Sequence, residues 1–165
     1  MRFLTLVRHA KSTWDYPELT DFERPLNDRG RRDAPVMAQR IARVPPRPDV
    51  IVSSPANRAL TTARIFAEAL GLKATDIEVN ARIYDASLDA LLKVVRALDD
   101  GGRHVMLFGH NPGFTELSHS LGECPFDEMP TCAVARFEFA AKSWSEISER
   151  DGKLVHYVFP KDQKE

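Results

Sequence analysis

Three short apolar runs constrain this chain more than any other feature. Phe3 to Val7, Val50 to Val52 and Val105 to Phe108 show little period-2 alternation, and each is bounded by polar residues. A strand with one wet face alternates; a strand buried on both faces does not, as in a parallel sheet. Parallel neighbours need crossovers, and helical patterns fill the intervals. Val36, Met37, Ile41 and Val44 share one helix face. Pro35 either sits in that helix's first turn, after Asp33 as cap, or interrupts a helix begun near Asn27. A second helix is framed by Ser54 as cap, Pro55 at its first position and Gly71 as its stop, with Leu60, Ala63, Ile65, Ala67 and Leu70 between. A third spans Ser87 to Leu98. Near the C-terminus Ala133, Ala135, Phe137 and Phe139 share one strand face, with Arg136 and Glu138 on the other, and Leu154 to Phe159 reads as a last strand. The alternation predicts an α/β three-layer sandwich, its mostly parallel central sheet flanked by helices.

A length of 165 residues suits one domain, residues 1–165, and the 43% hydrophobic content is enough to build a core. The net charge of -1 provides no global field for nucleic acid, so an anion site must come from a local cation cluster. No run approaches the roughly 20 apolar residues of a membrane span. The apolar N-terminal stretch is too short for a signal peptide. Cys124 and Cys132 are close enough in sequence to pair, but read better as free thiols of a reducing compartment, so a cytoplasmic protein is expected. Val44-Pro45-Pro46-Arg47-Pro48 reads as a loop, and Lys161 to Glu165 as a frayed end.

In open α/β sheets, ligands bind beyond the carboxyl ends of the strands. The first run ends in Arg8-His9. The second ends in Ser53-Ser54-Pro55, with Arg58 a turn later. The third ends in Gly109-His110-Asn111-Pro112-Gly113. The predicted ligand edge thus collects two arginines and two histidines, with no acidic residue immediately beside them. Arginine forks and helix N-termini suit a phosphoryl dianion. A metal would need a carboxylate or thiolate here rather than flanking arginines, so no metal or cofactor is expected. His104, His119 and His156 lack this placement and read as structural.

These residues resemble the histidine phosphatase superfamily. Arg8-His9-Ala10-Lys11-Ser12 is similar to its nucleophile motif. Ser54-Pro55, then Arg58, then Thr62-Ala63 is similar to its second motif, and Gly109-His110-Asn111-Pro112 to its third. The short chain, with Arg24-Pro25-Leu26 and Arg29-Gly30, looks like the SixA-type phosphohistidine phosphatases, compact relatives of the phosphoglycerate mutases. Two positions depart from the general pattern: Ala10 stands where glycine is usual, and Lys11 where an acid is common. Many members also place a glutamate acid before the third helix. Asp85 lies in that region, where capping of the Ser87 helix is the plainer role.

The resemblance implies a two-step hydrolysis. His9 becomes phosphorylated, and water then releases phosphate. Arg8, Arg58 and His110 hold the equatorial oxygens, with Ser12 and Asn111 as further substrate contacts. Arg8 and Arg58 are expected to keep His9 uncharged. The phosphorus–nitrogen bond of phosphohistidine is labile once its ring is protonated, so a site without a strong acid suits a phosphorylated protein. A small-molecule phosphomonoesterase with Asp85 as acid is the alternative, and a phosphate-binding module without turnover a third.

Overall fold

The computed structural model describes residues 1–160. The segment expected to fray, residues 161–165, lies outside them. Six strands form one sheet: β1 (Arg2–Arg8), β2 (Val50–Ser53), β3 (Glu78–Val79), β4 (His104–Gly109), β5 (Val134–Phe139) and β6 (Lys153–Val158), in the order β3-β2-β4-β1-β5-β6. The first four run parallel, while β5 is antiparallel to both β1 and β6. Each apolar run of the sequence lies within a parallel strand.

The absence of alternation has its cause in two cores. Leu4 and Leu6 of β1 face one side with Val105 and Leu107 of β4, under α3 (Leu88–Arg96) and α4 (Gly113–Leu121). Val7, Met106 and Phe108 face the other, under α1 (Asp28–Ala42) and α2 (Asn57–Leu70). The result is the three-layer α/β sandwich with a largely parallel sheet that the pattern predicts.

One helix start decides between the two alternatives for Pro35, and another differs from expectation. The α1 helix begins after Asn27, whose side chain accepts from Gly30 N, so Pro35 lies inside it and Asp33 is not its cap. The α2 helix begins at Asn57, two residues beyond Pro55, and Gly71 ends it at φ 72. Ser54 does not cap α2. Its Oγ accepts from Ala56 N at 3.2 Å and faces His110 instead.

The β5 pattern holds for its apolar face, which joins the α3–α4 core. Arg136, on the opposite face, is nevertheless only 1% exposed. Its Nε donates to Thr5 Oγ1 at 3.1 Å, and its Nη1 donates to the carbonyls of Val44 and Pro45. His104 joins the same network, within 2.7 Å of Thr5 Oγ1 and 2.9 Å of the Pro46 carbonyl. This buried polar cluster holds the proline loop against the sheet.

Candidate active site

The carboxyl ends of β1, β2 and β4 converge on a cavity of about 530 Å³. Arg8, His9, Ser12, Arg58, Asp85, His110 and Asn111 all line it, so every site residue proposed from sequence faces one space. The rings of His9 and His110 stand 5.3 Å apart.

The main chain fixes His9 from several sides. His9 N donates to Gly109 O at 3.0 Å, Ala10 N to Thr62 Oγ1 at 3.0 Å, and Cys132 N to His9 O at 3.1 Å. Cys132 adopts φ 61 to make that contact. His9 Nδ1 lies 2.8 Å from the Ala10 carbonyl. A carbonyl only accepts, so Nδ1 carries the proton and Nε2 keeps a bare lone pair. Burial is the largest influence on this ring. Together with His110, Arg58 and Arg8 it outweighs the Ala10 carbonyl and holds the pKa at about 3. The arginines therefore act as expected, but second to desolvation.

His110 is likewise kept neutral, at about 4, by burial first and Arg58 next. Its Nε2 lies 2.8 Å from Ser54 Oγ, and its Nδ1 is buried with no hydrogen-bond partner among the described residues. Arg8 donates from Nη1 to the Met129 carbonyl at 2.8 Å. Asn111 Nδ2 donates to that same carbonyl at 2.9 Å, while its Oδ1 accepts from Thr115. Asn111 thus braces the segment that holds Arg8. Ser12 Oγ accepts from Arg24 Nη1 at 2.8 Å.

The expectation that no acid stands beside the arginines is corrected by Asp21. The 3-10 turn Asp21–Glu23 brings it into the cavity. Arg58 donates Nη1 to the Asp21 backbone carbonyl at 2.6 Å and Nη2 to Oδ2 at 3.0 Å. Tyr84 donates its hydroxyl to Oδ2 at 2.7 Å, and Arg24 donates Nε to Oδ1 at 3.2 Å. Burial alone would raise the Asp21 pKa, but Tyr84, Arg58 and Arg24 hold it at about 2. The segments before α1 and α3 carry no periodicity, so neither Asp21 nor Tyr84 left a signal in the sequence pattern. Arg24 entered only through the resemblance. Lys11 and Trp14 complete the rim, with the Arg24 guanidinium carbon 3.5 Å from the centre of the exposed Trp14 ring. The capping role for Asp85 is also corrected. Ser87 caps α3 with its own side chain, accepting from Ala90 N, and Asp85 takes φ 52 on the cavity wall.

Among the described residues no group of three or more His, Cys, Asp or Glu side chains is placed to hold a metal, and no helix is long and apolar enough to cross a membrane. His104, His119 and His156 do not line the cavity.

A parallel sheet whose strand ends present two buried neutral histidines among arginines defines a phosphoryl-binding hydrolase site. Residues 4–93 match the family model of the histidine phosphatase superfamily, branch 1, and the chain belongs to that superfamily. A candidate SixA phosphohistidine phosphatase of Agrobacterium tumefaciens has a crystal structure that superposes with a TM-score of 0.78. It is 30% identical, over 96% of this chain and 98% of that one. An uncharacterized chloroplastic protein of Arabidopsis thaliana is 29% identical over 96% of this chain and 78% of its own length. Phosphoserine phosphatase 1 of Hydrogenobacter thermophilus is 42% identical over 42% of this chain and 33% of its own.

Proposed function

We propose that residues 1–165 act as one catalytic domain that hydrolyses phosphohistidine on a signalling or phosphotransfer protein in the cytoplasm, through a covalent intermediate on His9. The observation that carries this reading is the His9–Ala10 hydrogen bond, which leaves Nε2 bare at the floor of a cation-lined cavity. In the first step the Nε2 lone pair attacks phosphorus in line. The bond to the departing imidazole breaks, and its electron pair returns to that ring. In the second, water attacks the phosphorus, the bond to Nε2 breaks and phosphate leaves. Arg8 and Arg58 stabilise charge on the equatorial oxygens. Ser54 Oγ already accepts from Ala56 N, which frees its own proton for His110 Nε2. His110 Nδ1–H is then the unpaired donor that a phosphoryl oxygen satisfies. Ser12 contributes a hydroxyl at the rim. The arginines supply the positive charge, so no metal is needed.

Three features support a protein substrate. The cavity is lined at its rim by the exposed Trp14. Asp21 is held ionised and is no proton donor in the free enzyme. The Agrobacterium relative bears the phosphohistidine phosphatase name. The test is turnover of a phosphohistidine-bearing protein by the wild type and His9→Ala, with the wild-type phosphoenzyme trapped by an alkaline denaturing quench, in which the phosphorus–nitrogen bond survives. Loss of turnover in His9→Ala and label on His9 in the wild type are expected; normal turnover in His9→Ala, or label elsewhere in the wild type, overturns the mechanism.

A phosphomonoesterase is the second reading, favoured by the matched stretch of the phosphoserine phosphatase and by Asp85 on the cavity wall. Under it, Asp85→Asn slows esters with poor leaving groups and spares activated ones. Absence of turnover on every phosphorylated substrate would leave only a phosphate-binding module.

A further inference from the structure

In an in-line displacement the leaving group departs on the side opposite the nucleophile. His9 forms the floor and is 7% exposed, so the leaving group exits through the mouth. The Asp21 side chain stands in that mouth, 44% exposed, in a cavity whose other charged walls include Arg8, Lys11, Arg24 and Arg58. A carboxylate here works against phosphate binding, because it repels the incoming dianion and occupies Arg58 donors. What it attracts is a cation. A carboxylate offers about four acceptor sites, and Tyr84, Arg58 and Arg24 use three. One site remains, on Oδ1, of a side chain that three donors orient and that is 44% exposed.

Resting on the phosphohistidine reading, we infer that Asp21 determines leaving-group specificity, accepting the ring N–H of a protonated phosphohistidine. Before reaction the substrate ring is phosphorylated on one nitrogen and protonated on the other, so it carries positive charge. Asp21 stabilises this form, which is the one whose phosphorus–nitrogen bond breaks readily. On cleavage the electron pair passes to the ring nitrogen and a neutral imidazole departs. The proton stays on the ring throughout, and Asp21 remains a carboxylate. A phosphate ester behaves oppositely, since its leaving oxygen gains negative charge and Asp21 repels it. Asp85, the other acid on the cavity wall, adds the same sign of charge. Asp21 thus trades phosphate affinity for discrimination between leaving groups.

The experiment measures kcat/KM for a phosphohistidine peptide and for p-nitrophenyl phosphate, in the wild type, Asp21→Asn and Asp21→Glu. In Asp21→Asn the phosphohistidine value is expected to fall about tenfold, while the nitrophenyl value holds or rises. The phosphohistidine pH optimum moves to lower pH, because bulk solvent must now protonate the ring. Asp21→Glu recovers most of the ratio. Equal falls on both substrates would show that Asp21 only positions Arg58 and would overturn the assignment. So would an unchanged ratio, or a ratio as low in the glutamate variant as in the asparagine one. A wild type that prefers the ester to the phosphohistidine peptide is a separate result: it overturns the proposed substrate whatever the variants do.

Discussion

Gly30 is pressed against the main chain of Lys11, so closely that a Cβ at residue 30 would stand 2.1 Å from the Lys11 carbonyl oxygen. That oxygen also accepts from Asn27 N at 2.9 Å. The first turn of α1 therefore clamps the loop that follows His9. Gly30→Ala must push helix and loop apart. A loss of about 1–3 kcal/mol in urea unfolding is expected, with a drop in kcat/KM of at least about tenfold as the loop shifts. Wild-type activity in this variant would show that the loop tolerates displacement.

The pH behaviour of the nucleophile follows from its burial. His9 must be neutral to attack, and its pKa of about 3 lies well below that of a solvated imidazole. The acid limb of kcat/KM for p-nitrophenyl phosphate, corrected for substrate ionisation, should therefore fall near 3. An enzyme limb near about 6.5 would place a solvated histidine in the role instead.

Stability falls in the same direction, but over a higher pH window. His104 is 2% exposed and its pKa is lowered to about 4, by burial first and Arg136 next. Below about pH 6.5 the unfolded chain binds this proton while the folded chain refuses it. The stabilisation is full above that pH and drains away as pH falls toward 4. Between pH 7 and 5, His104 alone should cost about 2 kcal/mol in urea unfolding, a loss that His104→Gln removes.

Arg136 anchors the same network without touching the cavity. Arg136→Ala leaves the Val44 and Pro45 carbonyls short of a donor and opens a void. It should cost about 3 kcal/mol of stability, with kcat/KM unchanged well below the melting temperature. A large activity loss in a still-folded variant would couple this cluster to the site.

Trp14 shields Arg24 at the mouth, and its ring is 73% exposed. Trp14→Ala should raise KM for a phosphorylated protein about fivefold and leave that for p-nitrophenyl phosphate within about twofold. Equal effects on both substrates would assign Trp14 to phosphate binding alone.

The fold was legible because the parallel strands are buried on both faces, which suppresses alternation in Phe3–Val7 and Val105–Phe108. The strand-end rule then found Arg8, His9, Arg58 and His110 without any template. Asp21, Arg24 and Tyr84 were illegible to it because they arrive on loops, whose placement depends on partners remote in sequence: Arg58 for Asp21, Ser12 for Arg24, Asp21 for Tyr84. Ser54 misled for a related reason. Serine before proline is a good cap by composition, yet here the turn Ser54–Ala56 intervenes and His110 claims the hydroxyl. The burial of Arg136 was not legible, because alternation places it on the polar strand face and cannot distinguish solvent from a buried polar network.

His9 is held by Gly109 O, Cys132 N and the tie from Ala10 N to Thr62, bonds that depend almost entirely on main-chain atoms. The side chains of Lys11, Ser12 and Trp14 take no part in that hold and face the cavity. Position of the nucleophile and identity of the rim are therefore separable in sequence space. Gene duplicates can exchange rim residues and acquire new substrates while inheriting an unmoved His9. A protein engineer can do the same, randomising positions 11, 12 and 14 without rebuilding the reaction centre.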